Sequence, residues 1–454
     1  MSKVLLITND ALGEKMAGPA IRAWEMAKAL SREHNVTLSS YSVSNISHDR
    51  VRLALHRNDQ EGILGLAREH DAVILQPYVL SAFPAIAEVG RPLIMDMYDP
   101  YILELFEVHK TDPIPERTKH HVDSLNILIN EIMAGDYFIC ASPRQKDFWA
   151  GMMAALGRIN PRTYDRNPSL DGFLDIVPFG IDQEPPAHPG GKVLKGVVPG
   201  INADDKVLIW GGGIWNWFDT KTLVKAMALV AKTRPDIKLF FLGMVHPNPA
   251  MPDFQMKNAR ETLALAEELG LVGVNVFFNR DWVSYRDRGA YFLEADAGVT
   301  THYDHLETTF SFRTRVLDYL WAGLPVITTK GDYMAELAES EGFGVSVPYE
   351  DPEALKDGII SLLEDNAKMK ECGRNSRRIA EGFHWDKACL PLMKFLEAPS
   401  FAPDKLFRSQ GLRFSVAKAF LLGRMLITYV KRDGLERTLL RIKHYIVKER
   451  EKGN

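Results

Sequence analysis

The run from His302 to Pro325 concentrates groups that can do chemistry. It reads His302-Tyr303-Asp304-His305-Leu306-Glu307-Thr308-Thr309-Phe310-Ser311-Phe312-Arg313-Thr314-Arg315-Val316-Leu317-Asp318, and closes on Gly323-Leu324-Pro325. A strand is expected to end near Thr301 and a polar loop to follow. A helix then opens around Ser311 and stops at Gly323, with Pro325 starting the next strand. A helix start at the carboxyl end of a strand presents free N–H groups that attract an anion. Arg313 and Arg315 add positive charge beside it, and Asp318 offers two acceptor oxygens suited to the paired hydroxyls of a ribose. The combination fits a nucleoside diphosphate. The competing reading is a capped surface helix with solvated arginines.

Three more groups belong to the same argument. Trp210-Gly211-Gly212-Gly213-Ile214-Trp215-Asn216-Trp217-Phe218-Asp219 puts three glycines directly after a strand, where Gly212 and Gly213 leave amides open to phosphate. It does not follow the spacing of the nucleotide-binding P-loop or of the dinucleotide fingerprint. The tryptophans either stack on a ligand or fill the core. In Ala17-Gly18-Pro19-Ala20-Ile21-Arg22, the Gly-Pro pair precedes a helix whose first turn carries Arg22. A cation there opposes the helix dipole, which favours a ligand role over a local one. Met95-Asp96-Met97-Tyr98-Asp99-Pro100 ends another strand, and Asp96 and Asp99 can accept hydrogen bonds from sugar hydroxyls or cap a turn.

The elements that position these groups alternate. Strands are expected at Lys3–Thr8, Val36–Ser40, Asp71–Leu75, Pro92–Met95, Tyr137–Ala141 and Asp175–Val177, with helices at Pro19–Leu30, Gln60–Glu69 and His120–Met133 between them. After a Pro/Gly-rich stretch from Gln183 to Gly191 the alternation restarts. Strands follow at Lys206–Trp210, Lys238–Gly243, Val274–Phe278, Ala297–Thr301 and Pro325–Thr329. This pattern predicts an α/β chain with two facing, doubly wound parallel-sheet domains, at 1–185 and 192–396, and ligands at the carboxyl ends of their strands.

The chain has 454 residues, 46% hydrophobic and 25% charged, which excludes a disordered or low-complexity protein. The net charge of −4 gives no reason to expect nucleic acid. Residues 400–454 carry a balance of +8, so the preceding 399 carry −12. Within this basic tail, 413–448 includes two opposed helical stripes, Leu435, Leu439, Ile442 and Ile446 against Arg437, Arg441, His444 and Lys448. Such a helix either lies on an anionic membrane surface or docks on protein. Cys140, Cys372 and Cys389 show no pairing pattern, as in a reducing compartment. The start of the chain reads as a strand, and no apolar run is long enough to span a bilayer, so a cytoplasmic protein, peripheral on the inner membrane face, is expected.

Five segments in order resemble the GT-B-fold glycosyltransferases, in particular the large retaining family four. Gly18–Leu30 is similar to that family's glycine loop and first helix, and Val177-Pro178-Phe179-Gly180-Ile181-Asp182 to its interdomain segment. Gly211–Asp219 stands at its phosphate-binding turn, Leu317–Ile327 at its Leu-Glu-Ala-Met-Ala-Cys-Gly-Leu-Pro signature, and Phe383-His384-Trp385-Asp386 at its late aromatic-Trp-acid motif. The resemblance implies transfer of a sugar from a nucleotide-sugar donor to a glycan or lipid-linked acceptor, with retention and in surface-polysaccharide synthesis. Gly18, Arg22, Gly212, Gly213, Arg313, Arg315 and Asp318 are then expected to bind the donor, and Glu307, Arg313 and Asp99 to act in catalysis. The chain departs from the pattern at Phe310, where the family has a glutamate. Glu307 is the expected substitute. It departs again at Gly213 and Phe218, where the family has cations that Arg313 and Arg315 would replace. No Asp-x-Asp cluster occurs at a suitable position, so no metal and no cofactor besides the donor are expected, although His302, Asp304 and His305 are ligand-type residues. Two other readings remain: another GT-B enzyme, such as a phosphorylase or a nucleotide-sugar epimerase, or a degenerate binding homologue.

Overall fold

The computed structural model describes residues 1–57, 59–188, 190–244 and 257–405, together with 430 and 434. The membrane-binding stripes expected within 413–448 therefore lie outside the described residues. Among the described residues, thirteen strands form two parallel sheets. The first holds β1 (Lys3–Thr8), β2 (Asn35–Ser40), β3 (Val51–Leu55), β4 (Ala72–Leu75), β5 (Leu93–Asp96), β6 (Tyr137–Cys140) and β7 (Leu174–Ile176), in the order β3-β2-β1-β4-β5-β6-β7. The second holds β8 (Lys206–Trp210), β9 (Ile237–Phe241), β10 (Val276–Phe278), β11 (Ala297–Thr300), β12 (Val326–Thr329) and β13 (Gly344–Val347), in the order β10-β9-β8-β11-β12-β13.

The strand sequences explain this architecture. β4, β5 and β6 read AVIL, LIMD and YFIC, and every residue in them is buried. Strands apolar on both faces require helices above and below, which is the condition for a parallel sheet. The order reverses direction at β1/β4 in one sheet and at β8/β11 in the other. Loops leaving those strands diverge and open a crevice at their carboxyl ends.

One tyrosine aligns the donor-side elements. A Cβ on Gly298 of β11 would lie 2.2 Å from the Tyr319 ring, so only glycine lets helix Thr314–Ala322 approach the strand this closely. The Tyr319 hydroxyl donates to the Val299 carbonyl at 2.9 Å and accepts the Gly211 N–H at 2.9 Å. That bond joins the helix, β11 and the glycine turn after β8. The helix ends at Gly323, which adopts φ +68°.

Besides a bond from the Tyr285 N–H to the Glu14 carbonyl at 3.0 Å, two groups of contacts tie the two sheets. Where the chain crosses between them, the Trp385 ring lies on Gly180, whose added Cβ would sit 2.4 Å away, and packs 5.2 Å from the Phe179 ring. Helix Leu390–Glu397 then returns to the first domain, with Phe395 stacked 4.1 Å from Tyr137. A separate clasp runs from helix Pro143–Ala155. Arg144 reaches the carbonyls of Thr309 and Gly331 and the carboxylate of Glu336. Gln145 donates to the Phe310 carbonyl at 3.0 Å, and Phe148 packs 4.8 Å from the Phe310 ring.

Candidate functional site

A cleft of about 350 Å³ lies between the carboxyl ends of the two sheets. Its second-domain wall is built by the loops after β8 and β11. Gly212 adopts φ +80° with open space where a Cβ would stand, so its backbone faces the cleft without obstruction. Trp215 and Trp217 stack on each other at 5.5 Å and 2°, beside Trp282. Trp210 is fully buried and belongs to the core.

The arginines of this wall differ in their partners. Arg313 forms a two-pronged ion pair with Glu307, at 2.7 and 2.8 Å; burial works against its charge, but this carboxylate outweighs burial and holds it firmly charged. Arg315 has no such partner. Its guanidinium lies 4.1 Å over the Trp210 ring and 4.0 Å over the Phe218 ring. One nitrogen donates to the Gly213 carbonyl at 3.1 Å, while Nη1 is buried with no hydrogen bond. Burial, with Arg313 nearby, pulls its pKa down to about 9. Asp318 faces the cleft and accepts from Arg288 Nε at 3.1 Å, and Arg288 lies 3.7 Å over Tyr285. Arg288, Tyr285 and Trp282 were not singled out from sequence.

The first-domain wall is acidic. Gly18, Asp10, Tyr98, Asp99 and Glu104 line it. Asp99 and Glu104 hydrogen bond through their carboxyl groups. Burial, reinforced by Glu307, pushes Asp99 up to about 7, and burial together with Asp99 pushes Glu104 well above the usual carboxylate range. Glu104 sits in the first turn of helix Tyr101–Val108, a placement that spacing alone did not single out.

Two expected assignments change, Arg22 and Glu307, and the contacts of Phe310 and His302 are also placed. Arg22 does not reach the cleft. It is fully buried, holds Asp96 through Nε and Nη2 at 2.8–3.0 Å, and donates to the carbonyls of Val177 and Pro178. Its charge is used to fasten helix Gly18–Leu30 to β5 and the interdomain segment. Glu307 is also buried and does not line the cleft, because both of its oxygens are turned onto Arg313. It positions that arginine rather than facing a sugar. Phe310 is turned into the first domain against Phe148, so the position of the family glutamate became a clasp contact. His302 is enclosed by the hydroxyls of Thr300 and Thr329 at 2.9 and 3.1 Å, which removes it from cation ligation.

Residues 197–379 match the family described as Glycosyl transferases group 1. The D-inositol 3-phosphate glycosyltransferase of Paenarthrobacter aurescens is 25% identical over 233 residues, covering 50% of this chain and 52% of that protein. The chain thus spans about half the length of the curated relatives it matches. Among solved structures, sucrose-phosphate synthase from Thermosynechococcus elongatus superposes with a TM-score of 0.60 at 16% identity, covering 87% of this chain and 98% of that one. Anabaena HepE, solved in complex with UDP and glucose, superposes with a TM-score of 0.61 at 15% identity, covering 88% and 100%. Two parallel sheets facing across a cleft give this chain the GT-B fold of these solved structures, and its second sheet lies in the segment that matches the glycosyl transferases group 1.

Proposed function

We propose that the chain transfers a sugar from a nucleoside diphosphate-sugar to a hydroxyl of a glycan or lipid-linked acceptor. The observation that carries this reading is Arg315, a buried cation on the cleft wall with a nitrogen left unpartnered and no carboxylate bound to it. A diphosphate supplies the missing anion. The glycine turn, open at Gly212, and the start of helix Thr314–Ala322 add neutral backbone donors to the same anion. Asp318 receives the ribose, oriented by Arg288.

In the reaction, the bond from the anomeric carbon to the diphosphate oxygen breaks and the acceptor oxygen bonds to that carbon. The hydroxyl proton passes to the departing diphosphate. Charge grows on the diphosphate as it leaves. Fixed cations and amides aimed at that charge lower the barrier without needing to reorganise. Retention of configuration rests on the family resemblance, independence from metal on the sequence having no Asp-x-Asp cluster at a suitable position, and a role at the cytoplasmic membrane face on the basic segment 413–448.

The test is thermal stability of the full chain with UDP, GDP, ADP and dTDP in turn. A ligand at a hundred times its Kd stabilises by about 2.7 kcal/mol. One diphosphate is expected to raise Tm by several degrees, and no response to any of the four refutes the reading.

A further inference from the structure

The charges of the cleft are segregated in a way that bears on the acceptor. Among the described residues lining it, the guanidiniums Arg288, Arg313 and Arg315 all belong to the second domain. Arg288 is committed to Asp318 and Arg313 to Glu307. Arg315 alone has no carboxylate bound to it, and the donor diphosphate takes that charge under the transferase reading above. The first-domain wall presents Asp10, Asp99 and Glu104 and no lysine, arginine or histidine. Arg22, in the helix that follows Gly18, is turned inward and saturated by Asp96, and Lys15, next to the lining residue Met16, is exposed outside the lining.

Among the described lining residues, a second phosphate would find no free cation and would meet three carboxyl groups. A sugar hydroxyl, by contrast, can donate to the carboxyl oxygens that the Asp99–Glu104 pair leaves open, while the proton the pair holds is used between its two members. We infer that the acceptor half of the cleft takes an uncharged polyol ring, held by Asp99 and Glu104, and excludes a ring that carries a phosphate. This separates the chain from what the names of its relatives say, since those name inositol 3-phosphate and sugar-phosphate chemistry.

The experiment uses the full chain and radiolabelled sugar donors of the nucleoside diphosphate that raises Tm. Transfer is measured onto matched pairs: glucose and glucose 6-phosphate, inositol and inositol 3-phosphate, and methyl glucoside and its 6-phosphate. In at least one pair the neutral member is expected to be used with a kcat/KM at least tenfold above its phosphate. Glu104→Lys is expected to move that ratio at least fivefold toward the phosphate, a change that mere loss of folding does not produce. Preference for a phosphorylated member, or rejection of every neutral ring, overturns the inference. Binding of no nucleoside diphosphate at all overturns the transferase reading and this inference with it. Binding of the diphosphate with transfer onto a phosphorylated ring overturns this inference alone.

Discussion

Replacing Arg315 by methionine separates the needs of folding from those of binding, because the two respond in opposite directions. Burial depresses this guanidinium from 12.5 to about 9. At about 1.4 kcal/mol per pKa unit, that disfavours the buried charge by roughly 5 kcal/mol. Two ring contacts, over Trp210 and Phe218, return about 2 kcal/mol each when desolvated. The balance is roughly 1 kcal/mol against the arginine, so Arg315→Met is expected to leave the ligand-free protein as stable or about 1 kcal/mol more stable. Binding loses a charge-assisted hydrogen bond to phosphate, about 1.5–3 kcal/mol, which is roughly 10- to 150-fold in Kd. Urea unfolding of the free protein and calorimetric titration with the responding diphosphate measure the two quantities. An unchanged Kd, or a free protein weakened by more than about 2 kcal/mol, refutes the assignment of Arg315 to the diphosphate.

Arg22→Ala leaves Asp96 buried and unpaired, and is expected to cost about 3–5 kcal/mol in urea unfolding while the folded fraction keeps its diphosphate affinity. Glu131, which accepts from the Tyr78 N–H and the Tyr101 hydroxyl, is pushed by burial from 4.5 to about 7. A carboxyl raised in the folded state is fully compatible with folding only below its unfolded pKa, so it removes stability as pH rises from about 4.5 to 7. Glu131→Gln is expected to flatten Tm against pH across that window, recovering up to about 3 kcal/mol at pH 8; an unchanged slope counts against the shift.

The strands were legible because parallel-sheet burial writes itself as continuous apolar runs. Lys3–Thr8 and Lys206–Trp210 follow their sequence limits directly. β3 was missed because an edge strand is only half covered, and Val51–Leu55 alternates polar and apolar too briefly to stand out. Helix Pro143–Ala155 was missed for a related reason: its contacts are spread between the first-domain core and the clasp, so no single apolar stripe marks it. At the site, residue type predicted which groups stand near the cleft but not what holds each one. Arg22, Arg313 and Arg315 look alike in sequence. They are told apart by Asp96, 74 residues away from the first, by Glu307, six residues from the second, and by the lack of any carboxylate bound to the third. Arg288 and Glu104 carried no signal, because an arginine or glutamate in a first helical turn is ordinary until its cross-chain partner is known.

The clasp at Arg144 has a consequence for the rate of turnover. The chain joins the two sheets through the segments around Gly180 and Trp385, where the contact is buried and aromatic. The clasp is of another kind: Glu336 is 62% exposed, and the neighbouring bonds are single donations to carbonyls. An exposed ion pair is worth about 0–1 kcal/mol and an aromatic pair about 0.5–1.5 kcal/mol. Parting the ion pair and the ring contact therefore takes about 0.5–2.5 kcal/mol, to which the single hydrogen bonds add. Under the proposed transfer reaction, release of the spent nucleotide is expected to depend on helix Pro143–Ala155, on residues that lie outside the cleft lining.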